Sequence, residues 1–523
     1  MAALILHLVL IQPNHPGAAT WRALTLFALE WPVILCLLAV LPGAQRGLRG
    51  VLVAVLLVLA LLKAADFGFY IAFNRGFDLI TERALLYSAW QLGTGALGVP
   101  LAVLAILGGI GVIALAGWAL WWAMGQWLGV ARGQRLVLVA ACLAGVVAVA
   151  DIGQAMRAWA LPFQIPGTAF TARTGVERVI RTRNTLRGFA AFRAELAEDL
   201  AIGLAAPLSR LTGREVLVVF IESYGRTSMD NALYTPAHTA VLTAAQNQIA
   251  ASGLAMRTGW LTSPIEGGQS WLAHATLASG LPIGNQLRHN ALLASPRLTL
   301  WQVAQAAGYR TAAISPAITL PWPESTRLGF DLYLGRDAMG YAGKPFNWIT
   351  MPDQFTLARY AERLPPDLRP LFAQITLISS HAPWVPVPDV LPWGQIGDGT
   401  EFNAMATRGD PPAVVWRDHD RVRAQYRDSI TYSLTVAFDW AAQQGARGEP
   451  PLILILGDHP PASFVSQIGN RDVPAHLIGP PKVLALLDDW GWSQGLLPTA
   501  ETPRWPMQDF RDRFLSSLSG TGP

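Results

Sequence analysis

The run PLILILGDH at residues 451–459 leads an unbroken apolar segment directly into a carboxylate and an imidazole, Asp458 and His459. Leu and Ile without alternation, over a length too short for a helix and with prolines at both ends, read as a strand buried on both faces. Two further runs have the same form. EVLVVFIE (215–222) ends on Glu222, and LFAQITLISSH (371–381) leads to His381. GYRTAAIS (308–315) is also strand-like, while TLWQVAQAAG (299–308) and YRDSITYSLTVAFDWAAQQG (426–445) have helical spacing. Strands alternating with helices predict an α/β domain built on a mostly parallel central sheet. In such sheets ligands sit outside the carboxyl ends of the strands, so Glu222, His381, Asp458 and His459 are expected to share one edge.

A fifth residue belongs with them. In SPIEGGQSWLAHATLASGL (263–281), two glycines and a glutamine precede Ser270, and small and apolar residues follow at helical intervals until Gly280 and Pro282. A hydroxyl where a loop enters a helix faces unpaired N–H groups and the positive end of the helix dipole, which favours an anion beside it. The alternative for an isolated Ser is simple capping of its helix. Two carboxylates, an imidazole and a hydroxyl form a suitable four-ligand set for a divalent cation, Zn²⁺ or Mn²⁺ with Mg²⁺ as a further choice. Such an ion would lower the pKa of Ser270. Both cysteines, Cys36 and Cys142, lie in apolar N-terminal runs, so no Cys-based site or disulfide framework is expected.

FIESYGR (220–226), GGQSW (267–271), FAQITLISSHAPW (372–384), YRDSITYSL (426–434) and LILILGDH (452–459), in this order, resemble the sulfatase-like branch of the alkaline phosphatase superfamily. The resemblance extends over about residues 211–523 and is to the membrane-bound phosphoglycerol and phosphoethanolamine transferases of the lipoteichoic acid synthase type. It implies Glu222, Ser270, Asp458 and His459 as metal ligands, Ser270 as nucleophile, and His381 as a catalytic residue that holds the substrate phosphate. Two departures stand out. Pro460 and Pro461 follow the Asp-His pair where several relatives carry Gly and a small polar residue. Of the aromatic-x-Arg clamp expected after GYRTAAIS, Trp322 is present but Arg327 is off the spacing. Ser270 is followed by Trp-Leu-Ala-His, not by the C/S-x-P-x-R pattern of formylglycine sulfatases, which disfavours sulfate ester hydrolysis. Trp322, Arg327, His274 (one turn after Ser270) and Trp384 (beside His381) are lesser substrate candidates. His274 and His289 also read as core or surface histidines, Trp384 and Trp393 as packing residues, and His476 as following a strand-like segment.

The implied reaction has two steps. Ser270 attacks the phosphorus of a phospholipid donor and displaces diacylglycerol, and the head group then passes from the covalent Ser ester to a cell-envelope glycan or lipid. Alternatives are a phosphodiesterase of the same fold that passes the group to water, and a non-catalytic lipid-binding regulator.

The rest of the chain suits a lipid donor. Of 523 residues 52% are hydrophobic and 14% charged, a balance unlike that of a purely soluble protein. The apolar excess gathers in runs 22–42, 50–73, 97–127 and 136–155, each near the ~20 residues that cross a bilayer, with a shorter run at 2–12 that is a possible fifth span. Residues 1–155 are thus expected to be an all-α transmembrane bundle. The loops holding Arg46 and Arg49, and Arg132 and Arg135, contain no acid and are assigned to the cytoplasm, whereas the loop with Arg75, Asp78, Glu82 and Arg83 is mixed. This places residues 211–523 outside the cytoplasm, on a bacterial-type inner membrane. Residues 156–210 read as an amphipathic juxtamembrane linker in which Arg178, Arg181, Arg183 and Arg187 could meet lipid phosphates. Within the spans, Lys63 and Asp66 are expected to pair with each other near the interface, and Glu30 is a further ionisable group. A net charge of +4 fits an anionic membrane surface, and no nucleic-acid motif is present. The oligomeric state is not legible.

Overall fold

The structure, a computed structural model, describes residues 1–40, 45–73, 75–82, 89–90, 93–94, 98–128, 135–163 and 165–520. It divides into two compact units, Met1–Ala190 and Ala191–Pro523.

In the second unit the three apolar runs become β1 (Val216–Ile221), β5 (Leu371–Leu377) and β6 (Leu452–Gly457), buried at every position. The other strands are β2 (Ala255–Thr262), β3 (Arg310–Ile314), β4 (Leu332–Leu334), β7 (Asp472–Gly479), β8 (Ser493–Gln494) and β9 (Arg504–Pro506). They form one nine-stranded sheet of order β4-β3-β5-β1-β6-β7-β2-β8, with β9 beside β2. From β4 to β6 every pairing is parallel, but β7 runs antiparallel to both β6 and β2. The sheet is therefore mixed, and only one half answers to the parallel expectation.

Successive residues of β1 point to opposite faces. Leu217, Val219 and Ile221 join a core formed with the helices Thr235–Ala251, Asp353–Arg363 and His419–Gln443. On the other face the His274 ring lies 4.0 Å from Phe220, and Trp301 packs edge-on to Phe372, so the helices Ser270–Ser279 and Leu300–Ala306 cover it. Register decides what happens at the edge. Ile221 is aligned with Leu377 on one side and Gly457 on the other, so Glu222, Ile378 and Asp458 leave the sheet side by side.

Gly457 is required by that crowding. A Cβ there would lie 1.8 Å from the Tyr224 carbonyl oxygen, so β6 can end against the 222–225 turn only without a side chain. Gly457→Ala is expected to destabilise the unit by about 2–3 kcal/mol, read as a lower thermal midpoint of the detergent-solubilised chain.

His476 lies within β7, not after it. Its ring nitrogens meet Thr258 Oγ1 at 2.8 Å and Tyr224 Oη at 3.1 Å, and the side chain is buried, which makes it a satisfied core histidine.

In the first unit, two helices among the described residues are long and apolar enough to cross a membrane, Arg46–Ile71 and Val99–Trp127. Only 11% and 6% of their most apolar windows are buried within the protein, unlike the core helix of a soluble domain. Ala2–Ile11 and Val139–Ala155 are shorter apolar helices. The expected span 22–42 is not one helix. Trp21–Thr25 and Glu30–Val40 are separate, because residues 27–29 are held extended against Thr168 and the second helix restarts with Pro32 in its first turn. Arg83 and Arg132 of the orientation argument lie outside the described residues.

Lys63 and Asp66 do not pair with each other. The Lys63 ammonium donates to the carbonyls of Val9 and Leu10 at 2.8 and 3.3 Å and to Thr171 Oγ1 at 2.9 Å, capping the carbonyl end of the Ala2–Ile11 helix. Asp66 instead forms an ion pair with Arg178 at 2.7 Å, so Arg178 is not free for a lipid phosphate. Arg183 and Arg187, on the same Phe170–Glu195 helix, remain exposed.

Candidate active site

Glu222 and Asp458 follow directly from the paired ends of β1 and β6, and His459 is the next residue. One ligand atom from each of the three lies within 4.8 Å of the others, and all three side chains are buried. Ser270 reaches this cluster from the opposite direction. Gly267, Gly268 and Gln269 all have positive φ (75°, 146° and 67°), so the loop turns in a way that favours glycine and releases Ser270 as the first residue of its helix. The loop is pinned where Gly267 N–H donates to the Pro460 carbonyl at 3.0 Å. That carbonyl also faces His459 Nδ1 at 2.9 Å. The backbone carbonyl of Pro460 therefore joins the loop before Ser270 to the Asp-His loop.

Ser270 is not a capping residue. The N-cap position belongs to Gln269, and the Ser270 hydroxyl donates to Glu222 Oε2 at 2.8 Å and lies 3.2 Å from His459 Nε2. Because the Pro460 oxygen can only accept, Nδ1 of His459 carries the proton and Nε2 turns toward Ser270 and Glu222, 3.2 Å from Glu222 Oε1.

Asp458 shows what the cluster lacks. Its Oδ1 accepts the backbone N–H of Ser223 at 2.9 Å and of His459 at 2.6 Å, while its fully buried Oδ2 has no hydrogen-bond partner and lies 3.9 Å from His459 Nε2. An orphaned carboxylate oxygen beside a second carboxylate and an imidazole is costly unless a cation sits among them. The four residues thus fit a divalent metal.

The titration of the group follows from the same crowding. Burial, and then repulsion by Glu222, raise Asp458 to about 7. Burial works against the charged form of His459, but Asp458 and Glu222 outweigh it and raise the imidazole to about 9. Burial also works against the Glu222 carboxylate, and the His459 charge holds its pKa below the usual range.

His381 is exposed at the same edge, near enough for its charge to act on Glu222. Its loop is positioned by residues that the sequence did not single out. The buried Asp353 carboxylate accepts the N–H groups of Ile378 and Ser379 at 2.7 and 2.8 Å and the Ser433 hydroxyl at 2.6 Å. Ser380 Oγ donates to the Glu222 carbonyl at 2.6 Å, and Tyr426 Oη to that of Ser223 at 2.9 Å. The local signal for Asp353 was only an acid after a proline at a helix start. Asp353→Ala leaves these donors buried without a partner and is expected to cost about 3 kcal/mol, measured by thermal unfolding, with the rate falling as the His381 loop loosens.

The lesser candidates separate. Trp384 is buried, stacks on Trp416 at 5.7 Å and donates from Nε1 to the Ser380 carbonyl, so it braces the His381 loop. Trp322 and His274 line a cavity along the Ser270–Ser279 helix. Arg327 is exposed and is not among the residues lining that cavity.

A family model described as Sulfatase matches residues 214–494, more than half of the chain. The chain belongs to the sulfatase family. It is a sulfatase-like enzyme, as the order of its motifs implied. A comparison with curated protein sequences gives no significant match. Among solved structures, this sulfatase-family chain is similar to the lipoteichoic acid synthase LtaP from Listeria monocytogenes, at 13% identity and TM-score 0.38 over 59% of this chain and 73% of that one. It is also similar to the Streptococcus pyogenes phosphoglycerol transferase GacH in complex with sn-glycerol-1-phosphate, at 14% identity and TM-score 0.39 over 64% and 80%. The C-terminal periplasmic domain of phosphoethanolamine transferase EptC from Campylobacter jejuni gives 13% identity and TM-score 0.38 over 57% and 87%. The family assignment rests on the sequence match.

Proposed function

We propose that this protein is a membrane-embedded, metal-dependent phosphotransferase. It moves a phosphoglycerol or phosphoethanolamine head group from a phospholipid, through a covalent ester on Ser270, to a glycan or lipid of the cell envelope. The observation that carries the proposal is the Ser270 hydroxyl donating to Glu222 at 2.8 Å beside His459, with the unpartnered Asp458 Oδ2 in the same cluster.

Glu222, Asp458, His459 and the Ser270 oxygen are the residues that would hold Zn²⁺ or Mn²⁺. When bound, the ion supplies positive charge that lowers the pKa of the serine hydroxyl and offsets charge developing on the phosphate. The Ser270 hydroxyl donates its hydrogen bond to Glu222 Oε2, which orients Oγ, and its proton passes to solvent. As that proton leaves, Oγ forms a bond to phosphorus and the bond from phosphorus to the diacylglycerol oxygen breaks. His381, exposed at the rim, donates a proton to the departing oxygen, and diacylglycerol leaves as the alcohol. In the second step His381, having given up its proton in the first, takes the proton of an acceptor hydroxyl as that oxygen attacks the same phosphorus, the Oγ–P bond breaks, and Ser270 regains a proton from solvent.

The N-terminal unit gives this chemistry its setting. Its exposed apolar helices would hold the catalytic unit at the surface of the inner membrane on the extracytoplasmic side, where a lipid donor presents its head group while its tails stay in the bilayer. The test uses the full chain in detergent with Zn²⁺ or Mn²⁺ and fluorescent glycerophospholipids. Release of diacylglycerol, with a mass increase on the Ser270 peptide equal to the head-group phosphate, is the expected result. Protein that retains metal yet releases no diacylglycerol from any of these lipids would sink the reading.

A further inference from the structure

A cavity of 260 Å³ runs along the nucleophile helix, bounded by Trp271, His274, Ala275 and Ala278 on that helix. It begins one residue after Ser270. The opposite wall is aromatic, with Trp301, Trp322 and Phe330 in mutual ring contact at 5.3 and 5.9 Å. The one carboxylate in the lining is Glu324, which is exposed. No Lys or Arg is among the lining residues, and the two imidazoles add no positive charge, since burial lowers His274 to about 3 and His289 to about 4.

Glu324 stands two residues after Trp322. Aromatic faces joined to a single carboxylate, with no competing cation, are the chemistry that recognises an alkylammonium group.

We infer that this cavity selects a donor whose head group carries an ammonium, ethanolamine or choline, rather than glycerol. The inference rests on the transferase reading and names the substrate class of the same site. A group esterified to Ser270 through phosphorus extends by an O–C–C–N chain. The cavity wall at His274 lies about 6 Å along the helix from Ser270, within reach of such a group. There the ammonium meets Glu324 and the ring faces of Trp322 and Trp271.

Isothermal titration of the metal-loaded full chain in detergent, with ethanolamine phosphate, choline phosphate and sn-glycerol phosphate as probes, tests this directly. One or both ammonium phosphates should bind at least about tenfold tighter than glycerol phosphate, and the better of the two identifies the head group. Glu324→Gln should bring that ratio close to one and Glu324→Arg should invert it. Both are surface substitutions that spare the core. Equal or tighter binding of glycerol phosphate by the wild type, a ratio unchanged in Glu324→Gln, or no binding of any probe would overturn the inference. Diacylglycerol release from phosphatidylethanolamine, phosphatidylcholine and phosphatidylglycerol separates the two readings. Glu324-dependent ammonium binding without release from any lipid leaves the selectivity standing and removes the transferase. Release from phosphatidylglycerol alone does the reverse.

Discussion

Ser270→Ala is expected to lower head-group release by about 10³-fold or more and to abolish the covalent adduct. The hydroxyl is the only atom of this residue that meets Glu222 and His459, so its removal deletes the attacking atom while the helix that bears it stays in place. Ser270→Thr keeps the hydroxyl and should retain a large part of the rate. Release and adduct mass are measured together for the three proteins. A wild-type rate in the alanine variant would show that phosphorus is attacked by another group, such as water.

Metal retention is expected to fall steeply on acidification, because the residues that would hold the ion also hold protons. A cation must displace any proton on Asp458, raised to about 7 by burial and Glu222, and on His459, raised to about 9 by the two carboxylates. Below pH 7 both carry protons, so affinity should rise by up to about 100-fold per pH unit. Between 7 and 9 only His459 does, giving up to about tenfold per unit, and above 9 affinity levels off. Competition with a chelator of known affinity, followed from pH 6 to 10, measures this slope, and a flat profile would remove the metal from the cluster. At pH 8, Asp458→Asn keeps an oxygen for the Ser223 and His459 N–H groups but loses the charge at the orphaned position. It should weaken metal binding by about 100-fold or more while changing the thermal midpoint of metal-free protein little, since losing the Asp458 charge removes both its repulsion by Glu222 and its attraction to His459.

The legible parts of this fold were those in which a physical requirement is met within a few residues. β1 and β6 are buried on both faces and apolar throughout, and β5 departs from this only at Gln374 and Thr376, so the three runs end legibly at Glu222, Ser379 and Asp458. β2 and β7 contain Arg257, Thr258, Pro474 and His476, polar or strand-breaking residues whose partners come from distant strands, and the antiparallel half of the sheet went unread. The transmembrane reading erred for a related reason. Hydropathy measures how apolar residues 22–42 are, but the break at residues 27–29 is imposed by Thr168, far along the chain. Lys63 and Asp66 stand at a spacing that allows them to pair, yet each has a better partner elsewhere.

By itself the sequence determined the α/β class, the four residue types that suit a divalent metal, and the Gly-Gly-Gln loop that leads Ser270 into its helix, because these are local consequences of side-chain chemistry and backbone sterics. Only the tertiary structure decided that Ser270 touches Glu222 and His459 rather than capping a helix. The same holds for the unpartnered Asp458 Oδ2, and for Glu324, with Trp322, Trp301 and Phe330, lining one cavity. Those facts depend on strand register and helix placement, which are set by contacts between residues tens to hundreds of positions apart.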